Sequence, residues 1–388
     1  MTPDDHALLR LLACSGASAP RRTLLERHGG AAAAIDAGPA AWREAGLKAD
    51  QLRALAGAGD VPAATVDWLA DPAHRLLGWH DPDYPDLLRR IASPPLALFV
   101  AGDADLLWHP AVAVVGSRGP TAGGRDHARD FAAALARGGL AICSGLAAGI
   151  DTAAHEAALD VGGGTVAVLG SGIDVPYPRT NAGLYRRIVA HGVVVSEHPP
   201  GTGIRREHFP ARNRIIAGLS LGTLVVEAAE RSGALITARM AAEAGREVFA
   251  LPGSILNPRS RGCHRLIRDG AALVESPGEV AAALGGVAQV LADALRSRLA
   301  PPHPGAMDSA ARLPDPGPPD DPHHQNLWSA LGHDPIPMDT LVDRTGLTTA
   351  ELSSMLLLME LDGRVVREHG RYSRKSCHTA PKAQAGGK

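Results

Sequence analysis

The stretch from 111 to 275 constrains the fold most: short β-branched runs alternate with helix-like segments, and a Gly-rich or polar corner follows nearly every run. The runs at 112–115, 140–143, 165–169, 193–195, 223–226 and 247–251 are brief and mainly apolar. Such runs are expected of strands covered on both faces by helices. Segments with helical spacing lie between them, at 125–137, 152–159, 181–190 and 235–244. Repeated strand–helix alternation implies right-handed crossovers and an open, doubly wound, mostly parallel sheet of the α/β class. Ligands on such sheets sit beyond the carboxyl ends of the strands, near the point where strand order reverses. The corners Gly116-Ser117-Arg118, Ser144-Gly145, 170–172, Ser196-Glu197 and Pro252-Gly253 therefore enter the candidate site.

The chemistry of these corners suits phosphate. A strand that ends in Gly-Ser and feeds a helix offers free backbone N–H groups, and the helix dipole adds partial positive charge. Arg118 supplies a planar fork matched to an anionic oxygen pair. One such corner alone is equally explained by a tight turn and a solvated arginine; a row of five favours an anion.

Composition bounds the function classes. The 388 residues suffice for two or three domains, and 45% apolar with 21% charged residues is ordinary for a globular protein. Cys14, Cys143, Cys263 and Cys377 are scattered, without a CxxC pair, so no disulfide or metal site is expected and a reducing cytoplasm fits. No run approaches the roughly 20 apolar residues of a membrane span. The net charge of −2 excludes a chain that is a nucleic-acid polyelectrolyte throughout. Residues 201–270 nevertheless hold eleven arginines against six acidic residues, a local cationic patch unless surface ion pairs neutralise it.

Residues 1–72 are rich in Ala and Leu with Gly breaks, which predicts several short helices packed as a small domain. The segment 79–110 is proline-punctuated, with one short strand expected at 96–100 leading into a sheet domain that spans 73–285. A Pro-rich linker is expected over 286–322, a compact unit over 323–376 and a disordered tail over 377–388. The compact unit reads as three helices and two wing strands, a winged-helix pattern with Thr348 as N-cap and Glu351 three residues on. Its third helix is strongly apolar, so the unit suits protein contact as well as DNA.

The runs "VAVVGSRGPT", "SGLAAGIDTAAHEAAL", "AVLGSGIDVPYPRTN", "VVSEHPPGT", "FPARNRIIAGLS", "VVEAAERSGALITARMAAEAGREVFALPG" and "GCHRLIRDGA" together resemble the DNA-processing protein A family (DprA, also called Smf). The resemblance covers residues 80 to 275 closely, in seven motifs of the same order. It implies an extended Rossmann-like core, with a SAM-like helical domain before it and a winged helix after it. It also implies a non-enzymatic, cytosolic single-stranded DNA binding protein. Such a protein protects incoming strands during natural transformation and helps load the RecA recombinase. By motif, Arg118 and Arg179 are implied as DNA contacts, although the second position is often lysine in the family. The segment 209–214 is implied to border the same pocket, and a homodimer surface is implied at His264, Ile267 and Leu273.

The candidate DNA-binding residues are accordingly Gly116, Ser117, Arg118, Ser144, Gly145, Arg179, Asn181, Phe209, Arg212, Asn213, Arg214, Ser232 and Gly233. A groove of helix N-termini and arginines can track a phosphate backbone without reading sequence. Phe209, Tyr177 and His208 are the nearby stacking candidates in a chain with only 3% aromatics. Asp151 and His155, four apart at a helix start, fit either an N-cap with a same-face neighbour or an acid/base pair. Glu227 suits either a ribose hydroxyl or ion pairing to Arg212 and Arg214, with the second favoured. Ser232-Gly233 is a helix cap or a phosphate seat. The alternative function is a Rossmann-like nucleotide-binding or nucleotide-cleaving enzyme, against which stands the lack of GxGxxG, a Walker lysine or a nucleophile–base set. No cofactor or metal is expected.

Overall fold

The computed structural model describes residues 1–57, 61–299, 321–332, 335–362, 364–368 and 370–374. The chain divides into two compact units, Met1–Leu295 and Arg296–Lys388.

In the first unit six helices precede the sheet: α1 (Pro3–Ala13), α2 (Ala19–His28), α3 (Ala31–Asp36), α4 (Gly38–Glu44), α5 (Ala49–Ala56) and α6 (Ala63–Leu69). Thr2 and Asp5 form a capping box that opens α1. Leu8, Leu11, Leu24, Leu25 and Leu55 are buried in one apolar cluster with Leu76, Phe99, Leu169 and Val194 of the sheet. These helices thus form a layer over the sheet and share its core, where sequence suggested a small separate bundle.

The sheet has nine strands: β1 (His74–Gly78), β2 (Ala97–Gly102), β3 (Ala111–Val115), β4 (Ala141–Ser144), β5 (Thr165–Leu169), β6 (Val193–Ser196), β7 (Gly222–Val225), β8 (Glu247–Ala250) and β9 (Ala272–Leu273). Their order is β1-β2-β6-β5-β4-β3-β7-β8-β9. The strands from β3 onward pair in parallel, while β1 and β2 add an antiparallel extension beside β6. The six runs read as parallel strands all appear, within one residue at either end. Strand order runs one way from β3 through β6 and the other way from β7 through β9, so the reversal lies between β3 and β7. Those two strands pair from Val112↔Gly222 to Val115↔Val225, which brings their carboxyl ends level.

The remaining helices of this unit are α7 (Asp86–Arg89), α8 (Ala122–Arg137), α9 (Ile150–Asp160), α10 (Ala182–His191), α11 (His208–Leu219), α12 (Gly233–Glu243), α13 (Arg261–Arg268) and α14 (Pro277–Leu299). On one face of the sheet Ile215, Ile216 and Leu219 of α11 and Ala234 and Ala238 of α12 pack with Val115, Cys143, Val168 and Val225. Helix α14 corrects the expected linker start at 286. Val280, Leu284, Val287, Leu291 and Leu295 recur at intervals of three or four residues and are buried, the stripe of a packed helix. The rest of the Pro-rich segment, 301–320, and the expected tail lie outside the described residues.

In the second unit α15 (Pro322–Ala330), β10 (Ile336–Pro337), α16 (Met338–Thr345), α17 (Thr349–Leu361), β11 (Val365–Glu368) and β12 (Arg371–Arg374) build a winged helix. Its sheet order is β10-β12-β11. The α17 capping box is present: Glu351 N donates to Thr348 Oγ1 at 3.3 Å and Thr348 N donates to Glu351 Oε2 at 2.8 Å. Leu327, Leu341, Leu352, Met355, Leu356 and Met359 form its core, so the apolar third helix is spent on packing.

Candidate nucleic-acid interface

Where β3 and β7 part, a cavity of about 490 Å³ opens beyond their carboxyl ends. Its wall is the corner Gly116-Ser117-Arg118, and Ala147 of the β4–α9 turn and Asp151 in the first turn of α9 lie beside it. Opposite stand Phe209, Arg212 and Asn213 of α11 and Arg231-Ser232-Gly233 at the start of α12.

The corner after β3 is fixed by backbone bonds across the reversal point. Ser117 N donates to Glu227 O at 2.7 Å, and Val226 N donates to Val115 O at 3.1 Å. Arg118 beyond it is exposed, with its guanidinium 5.7 Å from the Phe209 ring centroid. Phe209 in turn lies 5.4 Å from the Tyr177 ring at 49°, and Tyr177 is 40% exposed. A cation and two aromatic rings thus stand in a row at the cavity mouth. His208 turns elsewhere and stacks on His198 at 4.0 Å.

The floor holds two buried groups of opposite charge, Arg212 and Asp151. Arg212 is 4% exposed and donates from Nη1 to Val168 O. Asp151 Oδ2 accepts from Gly145 N at 3.1 Å and from Ala147 N at 3.3 Å. Burial pulls the Arg212 guanidinium down to about 10, with Asp151 opposing the shift, so it remains a cation near neutrality. Burial raises the Asp151 carboxyl, and the Arg212 charge and the two N–H donors pull it back. Arg212 Nε has no hydrogen-bond partner. At the start of α12, Ser232 Oγ accepts from Ala234 N at 3.3 Å, which caps a helix whose N-terminal end borders the cavity.

Several sequence candidates are placed differently. Arg214 leaves the site: it is two residues from Arg212, roughly 200° around the helix. Its Nη1 and Nη2 donate to Glu197 Oε1 and Oε2 at 2.8 and 2.6 Å, beside a separate cavity of about 180 Å³ bordered by Arg21 and His198. Glu227 pairs with neither arginine and is not free for a ribose hydroxyl. Its Oε2 accepts from Thr121 N at 2.9 Å, and its Oε1 accepts from Thr121 Oγ1 at 2.6 Å and Asn257 Nδ2 at 3.2 Å. Since Thr121 caps α8, Glu227 braces that helix start. Ser144 is fully buried with Oγ donating to Val114 O at 2.7 Å, and the Gly145 N–H is taken by Asp151. Asn181 is buried and bridges Leu146 O at 3.0 Å and Thr152 Oγ1 at 2.9 Å. Arg179 is exposed two residues after Tyr177, outside the cavity lining.

His155 is no acid/base partner of Asp151. Its Nδ1 lies 2.7 Å from Thr165 Oγ1, which itself donates to Ile142 O at 2.8 Å, so Nδ1 carries the proton. Nε2 is buried without a partner, and burial lowers the imidazole to about 3. Sequence reasoning passed over Arg231, although its place directly before the Ser232-Gly233 cap marked it. Among the residues of the expected dimer surface, Leu273 is 46% exposed on β9, the last strand of the sheet. Ile267 packs partly against the core, and His264 Nε2 lies 2.9 Å from Gly253 O. Among the described residues no cluster of three or more His, Cys, Asp or Glu is placed to hold a metal, and no helix is long and apolar enough to cross a membrane.

Comparisons with known proteins agree with this architecture. Residues 75–285 match the family model described as DNA recombination-mediator protein A, and residues 311–371 match the DprA winged helix domain. Protein Smf of Escherichia coli (strain K12) is 41% identical over 318 residues, 81% of this chain and 82% of that one. The DNA processing protein DprA of Streptococcus pneumoniae is 52% identical over 202 residues, 52% of this chain and 71% of that one. The X-ray structure of DprA from Streptococcus pneumoniae superposes with a TM-score of 0.64 at 39% identity, covering 73% of this chain and 98% of that one. With a fold, a motif order and relatives all of one kind, the chain belongs to the DNA processing protein A family.

Proposed function

We propose that this protein binds single-stranded DNA without reading its sequence, protects strands that enter the cell, and passes them to the RecA recombinase. One observation carries the reading: the cavity at the β3/β7 reversal joins Arg118, Arg231 and the α12 N-terminus, with Phe209 and Tyr177 at its mouth. Cations and helix N-termini suit phosphates, and two aromatic rings suit unpaired bases. Within the sequence candidates the reading keeps Gly116, Ser117, Arg118, Phe209, Arg212, Asn213, Ser232 and Gly233, with Arg179 on the rim. A homodimer through His264, Ile267 and Leu273 is supported by the exposed Leu273 on the sheet edge. A reducing, cytoplasmic setting is supported by Cys14, Cys143 and Cys263, all free and buried. We give the winged helix no groove-reading role, because α17 carries Glu351 and Glu360 and neither Lys nor Arg.

The nucleotide-cleaving alternative is weakened by the groups it would use. Glu227 is held by Thr121 and Asn257, and His155 is sealed in the core. Titration with labelled oligothymidylate at two salt concentrations, beside an assay for base release from nucleoside monophosphates, separates the readings. Tight, salt-sensitive binding without turnover is expected. Saturable base release with weak oligomer binding would overturn the proposal.

A further inference from the structure

The loop between β8 and α13 presents two neighbouring aliphatic side chains to solvent, Ile255 at 80% and Leu256 at 87% exposure. Single exposed apolar residues need no explanation, but this pair sits on a rigid platform. Asn257 N donates to Ser254 O at 3.0 Å, so Ile255 and Leu256 are the two central residues of a tight turn. Leu256 N donates to Ser254 Oγ at 3.2 Å and Arg259 N to Asn257 Oδ1 at 3.0 Å, which braces both sides of the turn. The loop ends are pinched together: a Cβ on Gly253 would collide with Ser260 Oγ. Turn centres favour Gly, Asn, Asp and Ser for conformational reasons, and aliphatic residues at both positions have no such reason. A stiff loop that carries them outward is pre-organised for contact.

We infer that this turn is a base-contacting tip for unpaired nucleotides, in which Ile255 and Leu256 press on base faces while the neighbouring cavity holds the phosphates. The inference rests on the single-strand reading above. Continuity supports it: Asn257 bonds Glu227, and Ala228 N donates to Arg259 O at 2.6 Å, so the loop is tied to the strand end that continues into Ala229 and Arg231 of the cavity. Charge supports it as well. Residues 248–268 contain Arg259, Arg261, Arg265 and Arg268, of which Arg265 pairs with Asp269 at 3.5 Å. That balance suits a polyanion. Aliphatic side chains are established partners for exposed base faces. They add contact without base-edge hydrogen bonds, which keeps binding tolerant of sequence.

The test is the full chain carrying Ile255→Ser with Leu256→Ser, both polar replacements at surface positions. Binding is titrated with oligothymidylate and with an abasic oligomer of equal length, and self-association is followed by sedimentation. About tenfold weaker binding to oligothymidylate is expected, with abasic affinity, salt slope and oligomeric state unchanged. Equal losses on both oligomers, no loss on either, or a change of oligomeric state that accounts for the loss would each overturn the inference. Failure of the unaltered protein to bind oligothymidylate would instead overturn the single-strand reading itself.

Discussion

Gly145→Ala tests the buried floor of the cavity most directly. Gly145 is buried in the β4–α9 turn, and a Cβ built on it would overlap Cζ and both terminal nitrogens of Arg212. The guanidinium has little room to retreat, since it is held by Val168 O and faces Asp151, whose carboxylate is itself anchored by the Gly145 and Ala147 N–H groups. Overpacking of a tight site costs about 1–3 kcal/mol. Losing a buried hydrogen bond from a charged donor costs about 1.5–3 kcal/mol. Together these put the destabilisation at about 3–5 kcal/mol, a fall of roughly 6–20 °C in melting temperature for a unit of this size. Denaturant titrations of Gly145→Ala, Arg212→Met and the double variant form a cycle that isolates the collision. In the Met background, which lacks the guanidinium, the Gly145→Ala step is expected to cost only about 1 kcal/mol. Additivity within about 0.5 kcal/mol would refute the claim that Arg212 is pinned against Gly145.

Arg118→Ala removes one cation from the cavity mouth, so the slope of log affinity against log salt should flatten by about 0.7, while Arg118→Lys should keep the slope; an unchanged slope in a folded Ala variant would remove Arg118 from the phosphate path. His155 is lowered to about 3 by burial, from 6.5 in the unfolded chain, so its neutral form supports the fold above 6.5 and that support is lost as pH falls. The loss is about 1.4 kcal/mol per pH unit between those values, and His155→Asn should make the acid limb of a stability–pH profile shallower over that window. Leu273→Glu places a charge at an exposed edge position, and under the proposed homodimer it should give monomers in sedimentation that remain folded by circular dichroism.

The sheet was readable because its signals are local. Strands β3 and β5 are short β-branched runs, each buried along its length and followed by Gly, which leaves little ambiguity about where they lie. Helix α11 was read only as the motif 209–214, since Pro210 and two arginines mask its helical spacing. Helix α14 was absorbed into the linker because its Ala- and Gly-rich text hides a stripe that only packing brings out. Strand β1 pairs antiparallel, yet its text, His74–Gly78, shows no alternation of apolar and polar residues to announce it.

Site residues divide along the same physical line. The Gly116-Ser117-Arg118 corner and the Ser232-Gly233 cap depend on backbone that follows directly from a strand or opens a helix, and sequence places such features well. Arg212 and Arg214 are two positions apart in the text yet face opposite sides of α11, and their partners are Val168 on β5 and Glu197 just after β6. Glu227 is held by Thr121, 106 residues away in the chain, a contact that no local pattern encodes. This sorting also explains how a chain of net charge −2 lines the cavity with three arginines against one carboxylate. Glu197 neutralises Arg214 away from the cavity and Glu227 is occupied by neutral donors, while Arg118 and Arg231 stay exposed at the cavity. The positive rim is therefore a product of which arginines the fold leaves facing the cavity rather than of how many the sequence contains. Reversing the Glu197 charge should consequently disturb the face bearing Arg214 and Arg21 far more than strand binding.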